Sequence, residues 1–416
     1  MIGCKDLASL FQNAQQSPPD PILSLTTLYN EDTFSKKVSL GVGAYRDENG
    51  NPWILPVVAK AEQILVNRPG RNHEYLPVPG LSSFTSSAAR LIFGKDSEAI
   101  KENRVSSNQS ISGTGSLYMG AMFLKRNYPL SNNIYLSDPT WANHKDVFGS
   151  LDFDLQKYPY WDSASKSIDF VGMLNSIKDA PDRSIFIFHA CAHNPTGADL
   201  TADQWKAVAN EFKKKNHFPY FDCAYQGFAT GDLDNDAYAI RLFVSMGFEM
   251  MVSQSFAKNL GLYGERCGCL HVICNNSDAS AKSSNSLQKI ARTVFSSAPR
   301  YGADIASIIL NDKELYEEWK QNLKTMSSRI FEMRTALRDR IVALGTPGNW
   351  DHIVKQIGMF SFTGLSPAQV NILIKKYHIY LTENGRISIA GLNYQNIDYV
   401  ASAINAVVVS AQNSNL

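Results

Sequence analysis

The chain has 416 residues, 44% of them hydrophobic and 19% charged, a balance that supports a large buried core and excludes disordered, collagenous and fibrous classes. With 40 Lys+Arg against 39 Asp+Glu the formal charge is +1, so no overall basic footprint marks a nucleic-acid or anionic-membrane partner. No run approaches the roughly 20 apolar residues of a membrane span, and the length fits two domains or one large α/β unit with an appendage.

The first twenty residues lack both the amphipathic Arg/Ser pattern of a transit sequence and the basic start and apolar centre of a secretory signal, so no targeting segment is expected there. From about residue 105 to 275, short β-rich runs alternate with amphipathic stretches. Strands are predicted at Asn133–Ser137, Ser184–His189, Pro219–Asp222, Glu249–Gln254 and Cys267–Cys274, and helices at Gly115–Arg126, Phe170–Ile177, Thr201–Lys215 and Ala237–Met246. Strand followed by helix, repeated, is the pattern of a mostly parallel sheet covered on both faces. Tyr301–Leu344 reads as one long helix. Beyond it come short strands at Met359–Thr363, Ile379–Leu381 and Ile387–Ala390 and helices at Pro367–Lys376 and Asn396–Ala411. The expected fold class is therefore α/β, with a central sheet in a large domain (51–326), a smaller α+β domain built from 15–50 and 327–416, and an N-terminal arm (1–14). The final Ser414-Asn415-Leu416 only loosely echoes a peroxisomal address, since Asn415 stands where a basic residue is usual.

Five of the six cysteines, Cys191, Cys223, Cys267, Cys269 and Cys274, lie in apolar, strand-like runs, and Cys4 is near the start. With no CxxC pair, they read as reduced, buried thiols of a cytoplasmic protein. His189, Cys191 and His193 would share one strand face, but the spacing matches no zinc pattern and Asn194-Pro195 breaks the strand at once, so no metal site is expected.

In open parallel sheets, ligands sit beyond the C-terminal ends of the strands. Four unusual polar features fall there: Asn194, Asp222, Lys258 and the turn Ser112-Gly113-Thr114-Gly115, which opens a helix and offers N–H groups to a phosphate. Each also has a structural reading, as a turn, a strand-end cap, a solvated lysine or a helix cap. Asn194-Pro195 has the character of a turn with a cis peptide bond. Ser255-Phe256-Ala257-Lys258 fits the SxxK pattern of serine acyl-transferases, but the Lys-Thr-Gly triplet those enzymes require is absent. A lysine beside a phosphate site and facing a carboxylate instead suggests a Schiff base with pyridoxal phosphate, the carboxylate keeping the ring nitrogen protonated.

The segment Ser255–Arg266 resembles the cofactor-lysine region of the eukaryotic-type aspartate aminotransferases, a family of fold-type I pyridoxal-phosphate enzymes. The resemblance extends through Val38–Arg46, His73–Pro77, Asp138–His144, His189–Gly197, Asp222–Phe228, Gln356–Leu365 and Asn384–Ile387. It implies pyridoxal 5'-phosphate as cofactor and reversible ping-pong transfer of the amino group of L-aspartate to 2-oxoglutarate, giving oxaloacetate and L-glutamate. It also implies a homodimer with shared active sites. Lys258 would bind the cofactor and shuttle the substrate proton, Asp222 would pair with the ring nitrogen with support from His144, and Asn194 and Tyr225 would donate to the phenolic oxygen. Trp141 would stack on the ring. Ser112, Gly113, Thr114, Ser255 and Arg266 would hold the phosphate, joined by Tyr75 of the neighbouring subunit. The substrate would meet Gly43, Trp141, Asn194, Arg386 on its α-carboxylate, and Arg292 across the interface on its distal carboxylate. Val42 and Gly43 would stand near the entrance and Phe360 near the closing face.

The chain departs from the family's usual residues at Phe295, Ser297-Ala298, Gly264 and Tyr118. The first two sites lie near Arg292 and bear on how strictly dicarboxylates are selected against aromatic amino acids.

Overall fold

A computed structural model describes residues 9–16 and 20–413. Cys4 and the Ser414–Leu416 tripeptide lie outside the described residues.

At the centre is a seven-stranded sheet. Its strands are β1 (Val105–Ile111), β2 (Asn133–Asp138), β3 (Asp154–Pro159), β4 (Ile185–His189), β5 (Phe218–Cys223), β6 (Met250–Ser255) and β7 (Cys267–Ile273), in the spatial order β1-β7-β6-β5-β4-β2-β3. β7 is antiparallel to both of its neighbours, and every other pairing is parallel. The five predicted strands are all present. Every residue of β4, β6 and β7 is buried, as a strand covered on both faces requires. Alternation then sorts the side chains: Ile185 and Ile187 join one apolar layer with Leu117 and Met251, while Phe186 and Phe188 join the other with Trp205, Phe212 and Phe243.

Helix α1 (Ser112–Asn127) leaves β1 without a linker and crosses the sheet so closely that a Cβ on Gly120 would stand 2.0 Å from the Tyr220 hydroxyl. Glycine is required there for contact. Helix α2 (Ser277–Val294) and edge strand β3 were not predicted: α2 buries only Ser280, Leu287, Ile290 and Ala291, and β3 fully buries only Tyr158. Neither therefore carries a strong apolar period.

The long helix predicted over Tyr301–Leu344 is two helices, α3 (Arg300–Asn311) and α4 (Lys313–Ala343). Asp312 separates them, because its backbone is extended and its carboxylate accepts from the Glu314 and Leu315 N–H groups, capping α4. Likewise the strand predicted at Ile387–Ala390 is Arg386–Ser388 followed by a 3-10 turn, Ile389–Gly391.

Beyond α4, Phe360–Phe362 pairs antiparallel with Arg386–Ser388, and Ile379–Tyr380 pairs parallel with Val38–Ser39. Leu40 then bridges the two pairs, its N–H donating to Tyr380 and its carbonyl accepting from Ser388. The chain before residue 50 is thus laced into the C-terminal layer, and one apolar cluster runs from Leu40 and Ile389 through α4 to Phe84 and Phe256. Among the described residues no helix is long and apolar enough to cross a membrane.

Candidate active site

The C-terminal ends of the parallel strands and the start of β7 meet at one sheet edge. The cleft there has about 510 Å³ of empty space and is lined by Ser112, Gly113, Thr114, Trp141, Asn194, Asp222, Tyr225, Ser255, Lys258 and Arg266. Ten of the predicted site residues are thereby brought together from six separate segments.

Lys258 sits three residues past β6 in a connection clamped on several sides. Phe256 N–H donates to Cys267, Gly261 N–H donates to the Lys258 carbonyl, and Trp319 Nε1 donates to the Asn259 carbonyl at 2.7 Å. The Asn259 amide in turn donates to the Gln226 carbonyl, tying the lysine segment to the one carrying Tyr225. Lys258 Nζ lies 5.3 Å from the Tyr225 ring centre. Burial pulls its pKa below the ordinary lysine value, with Arg266 acting in the same sense and the Asp222 charge opposing.

Asp222 is buried, which alone would raise its pKa, yet the carboxyl is held below the usual range because His144 bonds it and the nearby Lys258 favours its charge. His144 Nε2 stands 3.1 Å from Asp222 Oδ2, and Thr140 Oγ1 stands 2.8 Å from His144 Nδ1. Because a carboxylate only accepts, Nε2–H donates to Asp222, and Nδ1 pairs with the threonine hydroxyl, which fixes the ring's orientation.

At the other end of the cleft, α1 presents its first backbone N–H groups, and Ser112 Oγ lies 3.1 Å from Ser255 Oγ. The Ser112 N–H donates to the Arg266 carbonyl, and the Arg266 guanidinium is steadied by the Tyr263 carbonyl at 2.9 Å. Hydroxyls, unpaired amides and a guanidinium converging at a helix N-terminus make an anion cradle.

Between these ends, Asn194 precedes a cis bond to Pro195, and its Oδ1 accepts from Arg386 Nη1 at 3.2 Å. That leaves the Asn194 amide hydrogens free to point into the cleft. Arg386 is buried, its second nitrogen donating to the Gly41 carbonyl at 2.6 Å and its guanidinium resting 4.3 Å from the Phe360 ring centre. No carboxylate pairs with it among the described residues, and burial lowers its pKa to about 10, so it remains cationic at neutral pH. Burial raises the Tyr225 hydroxyl above its ordinary value, so it stays protonated and can donate.

Three predicted residues stand apart from the cleft. Gly43 lies against Phe360, at the rim. Tyr75 is 84% exposed beside a different depression, and Arg292 is exposed at the end of α2, donating to Ser296 Oγ. The single chain thus does not bring Tyr75 or Arg292 to the other ten.

His189 is the polar lining residue to which the sequence analysis assigns no cofactor role. It is buried, neither ring nitrogen has a partner, and burial lowers its pKa to about 3, so it is neutral. Its position at the last residue of β4, in register with Asp222, was the available signal. The suspected set with Cys191 and His193 does not converge, because both His193 nitrogens are taken by Ser137 and Thr196. His189 instead approaches His144 and Asp222 closely enough for a three-ligand group, but those two are already bonded to each other.

The sequence pattern of the family described as aminotransferase class I and II matches residues 35–404. This chain belongs to that family. Among curated aminotransferases, the cytoplasmic aspartate aminotransferase of Gallus gallus is 50% identical over 410 residues, covering 97% of this chain and all of that protein. Among solved structures, the aspartate aminotransferase from Saccharomyces cerevisiae cytoplasm superposes with a TM-score of 0.94 at 50% identity, covering 96% of this chain and 99% of that one. An aromatic-amino-acid aminotransferase from Burkholderia pseudomallei, covalently bound to pyridoxal phosphate, gives 0.93 at 39% identity, with 96% and 100% covered.

Proposed function

We infer that the protein is a cytoplasmic aspartate aminotransferase, exchanging amino groups between L-aspartate and 2-oxoglutarate in two half-reactions. The observation that carries this reading is the cleft itself: a buried lysine with lowered pKa shares it with an ionised, histidine-supported carboxylate, and a buried arginine without a counter-ion is bonded to Asn194 in its wall. The near-full-length match to cytoplasmic aspartate aminotransferases of chicken and yeast agrees with it.

The residues fit pyridoxal phosphate. The orphaned His189 nitrogens and the free Asn194 amide need polar partners in the cleft, and Lys258, Arg266 and Arg386 outnumber Asp222, as an anionic cofactor and an anionic substrate require. When bound, the cofactor supplies an aldehyde to take up the amino group and a ring to accept the electron pair left on the α-carbon.

Lys258 Nζ would attach the cofactor and, once displaced by substrate, move a proton to and from the α-carbon, a task suited to an amine whose pKa burial has lowered. Asp222 would hold the ring nitrogen protonated, with His144 and Thr140 fixing the carboxylate's orientation. Tyr225 and Asn194 would donate to the ring oxygen. Trp141 would cover the ring face. Ser112, Gly113, Thr114, Ser255 and Arg266 would hold the phosphate, and Arg386 the α-carboxylate.

A homodimer completes this reading. Tyr75 of the partner subunit would join the phosphate cradle and Arg292 of the partner subunit would meet the distal carboxylate, which accounts for both being exposed in one chain. Gly43 would border the substrate. The division into an arm (1–14), a small domain (15–50 and 327–416) and a large domain (51–326) would let the Arg386 layer close over the cleft and exclude water.

The test is the visible spectrum of the purified protein with L-aspartate and no keto acid. The band of the lysine-linked cofactor should give way to that of its amine form. A chromophore that ignored aspartate and answered phenylalanine would replace this reading with an aromatic aminotransferase.

A further inference from the structure

Arg334, in α4, is the largest charged side chain sealed inside the molecule, at 1% exposure. No carboxylate pairs with it among the described residues. Its guanidinium instead donates to three backbone carbonyls of a single stretch: Ile353 at 3.0 Å, Gly358 at 2.8 Å and Phe360. Burying a cation without a counter-ion is costly, and three charge-assisted hydrogen bonds to carbonyls are what offset the cost here. Burial lowers its pKa to about 9, which leaves it charged at neutral pH.

What these bonds fix is informative. The stretch is wedged against the large layer, where Ile357 N–H donates to the Gly197 carbonyl three residues after Asn194. It then enters the strand Phe360–Phe362, whose partner strand begins at Arg386. Phe360 brings the stretch to the candidate site: its ring lies 4.3 Å from the Arg386 guanidinium and edge-on to Tyr225, with centroids 6.1 Å apart. A guanidinium over an aromatic face is attracted electrostatically, so the ring is a third hold on Arg386 beside its bonds to Asn194 and Gly41.

We propose that Arg334 is a positioning residue for substrate binding: by holding the 353–360 carbonyls it sets the Phe360 ring, and through that ring the orientation of Arg386. This rests on the reading of Arg386 as the holder of the α-carboxylate. Because every amino-acid substrate carries that group, Arg334 would govern affinity for all of them and leave the choice between side chains untouched.

The experiment uses the holoenzyme with Arg334→Met, Arg334→Lys, Phe360→Leu, the double variant Arg334→Met/Phe360→Leu, and Arg386→Lys. Arg334→Met should raise KM for aspartate and for phenylalanine by the same factor, about tenfold, with kcat changed less and the cofactor's visible band unaltered without amino acid. Arg334→Lys should recover part of the loss. In the Phe360→Leu background the Arg334 substitution should add less than twofold, since both act through one link.

A folded Arg334→Met enzyme with wild-type KM would overturn the inference, as would losses that multiply fully in the double variant. If Arg334→Met fails to fold, Arg334→Lys, made alone and combined with Phe360→Leu, decides by the same non-additivity. Arg386→Lys separates the two readings: a large KM effect there with none from Arg334 sinks only this inference, whereas no effect from Arg386 sinks the α-carboxylate reading as well.

Discussion

Gly43 and Phe360 meet with no space between them: a Cβ built on Gly43 would lie 2.9 Å from Phe360 Cζ. The contact joins the N-terminal segment to the ring that backs Arg386. Gly43→Ala must displace that ring, because the rest of Phe360 is buried and cannot retreat freely. The expected result is roughly a tenfold lower kcat/KM for aspartate with the protein still folded, measured by steady-state kinetics beside a circular dichroism melt.

Lys258→Ala should abolish turnover while leaving the anion cradle intact. Loss of a positioned acid/base alone is worth roughly 10²–10⁴-fold, and loss of the covalent attachment adds to it. Phosphate protection of the apoprotein against heat should persist in this variant, because Ser112, Ser255 and Arg266 are untouched. Retention of full transamination would exclude the lysine from the chemistry.

The two arginines should separate by substrate. Arg292→Ala should cost aspartate about 10²–10³-fold in kcat/KM and phenylalanine little, since only aspartate has a distal carboxylate to lose a charge-assisted pair. Arg386→Ala should hurt both. Equal losses from Arg292→Ala would instead assign the exposed residue to the interface alone.

Stability should fall on mild acidification. His271 is fully buried between Ser107 and Gln254, and burial lowers its pKa from 6.5 to about 3. Below pH 6.5 the unfolded chain takes up a proton that the folded chain refuses, so the stabilisation present above 6.5 is lost as pH falls toward 3. At pH 5 this one group costs about 2 kcal/mol, and His189 acts in the same direction. Urea midpoints measured from pH 8 to 4.5 should show the decline, and His271→Gln should flatten it.

How much of this was readable beforehand follows from what each residue contributes locally. β4, β5 and the first half of β6 announced themselves because strands buried on both faces carry apolar runs, whereas β3 at the edge and the serine-rich α2 bury too little to show a period. The break at Asp312 was hidden for a different reason: the apolar spacing runs on through it, and only the capping bonds to Glu314 and Leu315 reveal the stop. Lys258, Asp222 and Asn194 do stand at or just past strand ends, as the alternation of elements implies, and line one cleft. Arg334 was not, because a buried arginine within a helix looks in sequence like any solvated one, and its carbonyl partners lie 19 to 26 residues away. His189 belongs to the His189–Gly197 motif, but its orphaned nitrogens show only in the folded chain, where Asp222 stands beside it.

The reversed direction of β7 carries one more consequence. A parallel strand after β6 would have taken the chain to the far edge of the sheet and back, but the antiparallel turn returns it within residues 256–266 to the edge it left. Lys258 and Arg266, proposed for opposite ends of one small molecule, therefore hang from the same short span, pinned at Phe256 and again at Ser112. That span works as a caliper whose opening is set by its residue count. Lengthening it by even one residue would mismatch the two grips, while insertions of the same size among the exposed residues 163–165 would leave the gap unchanged.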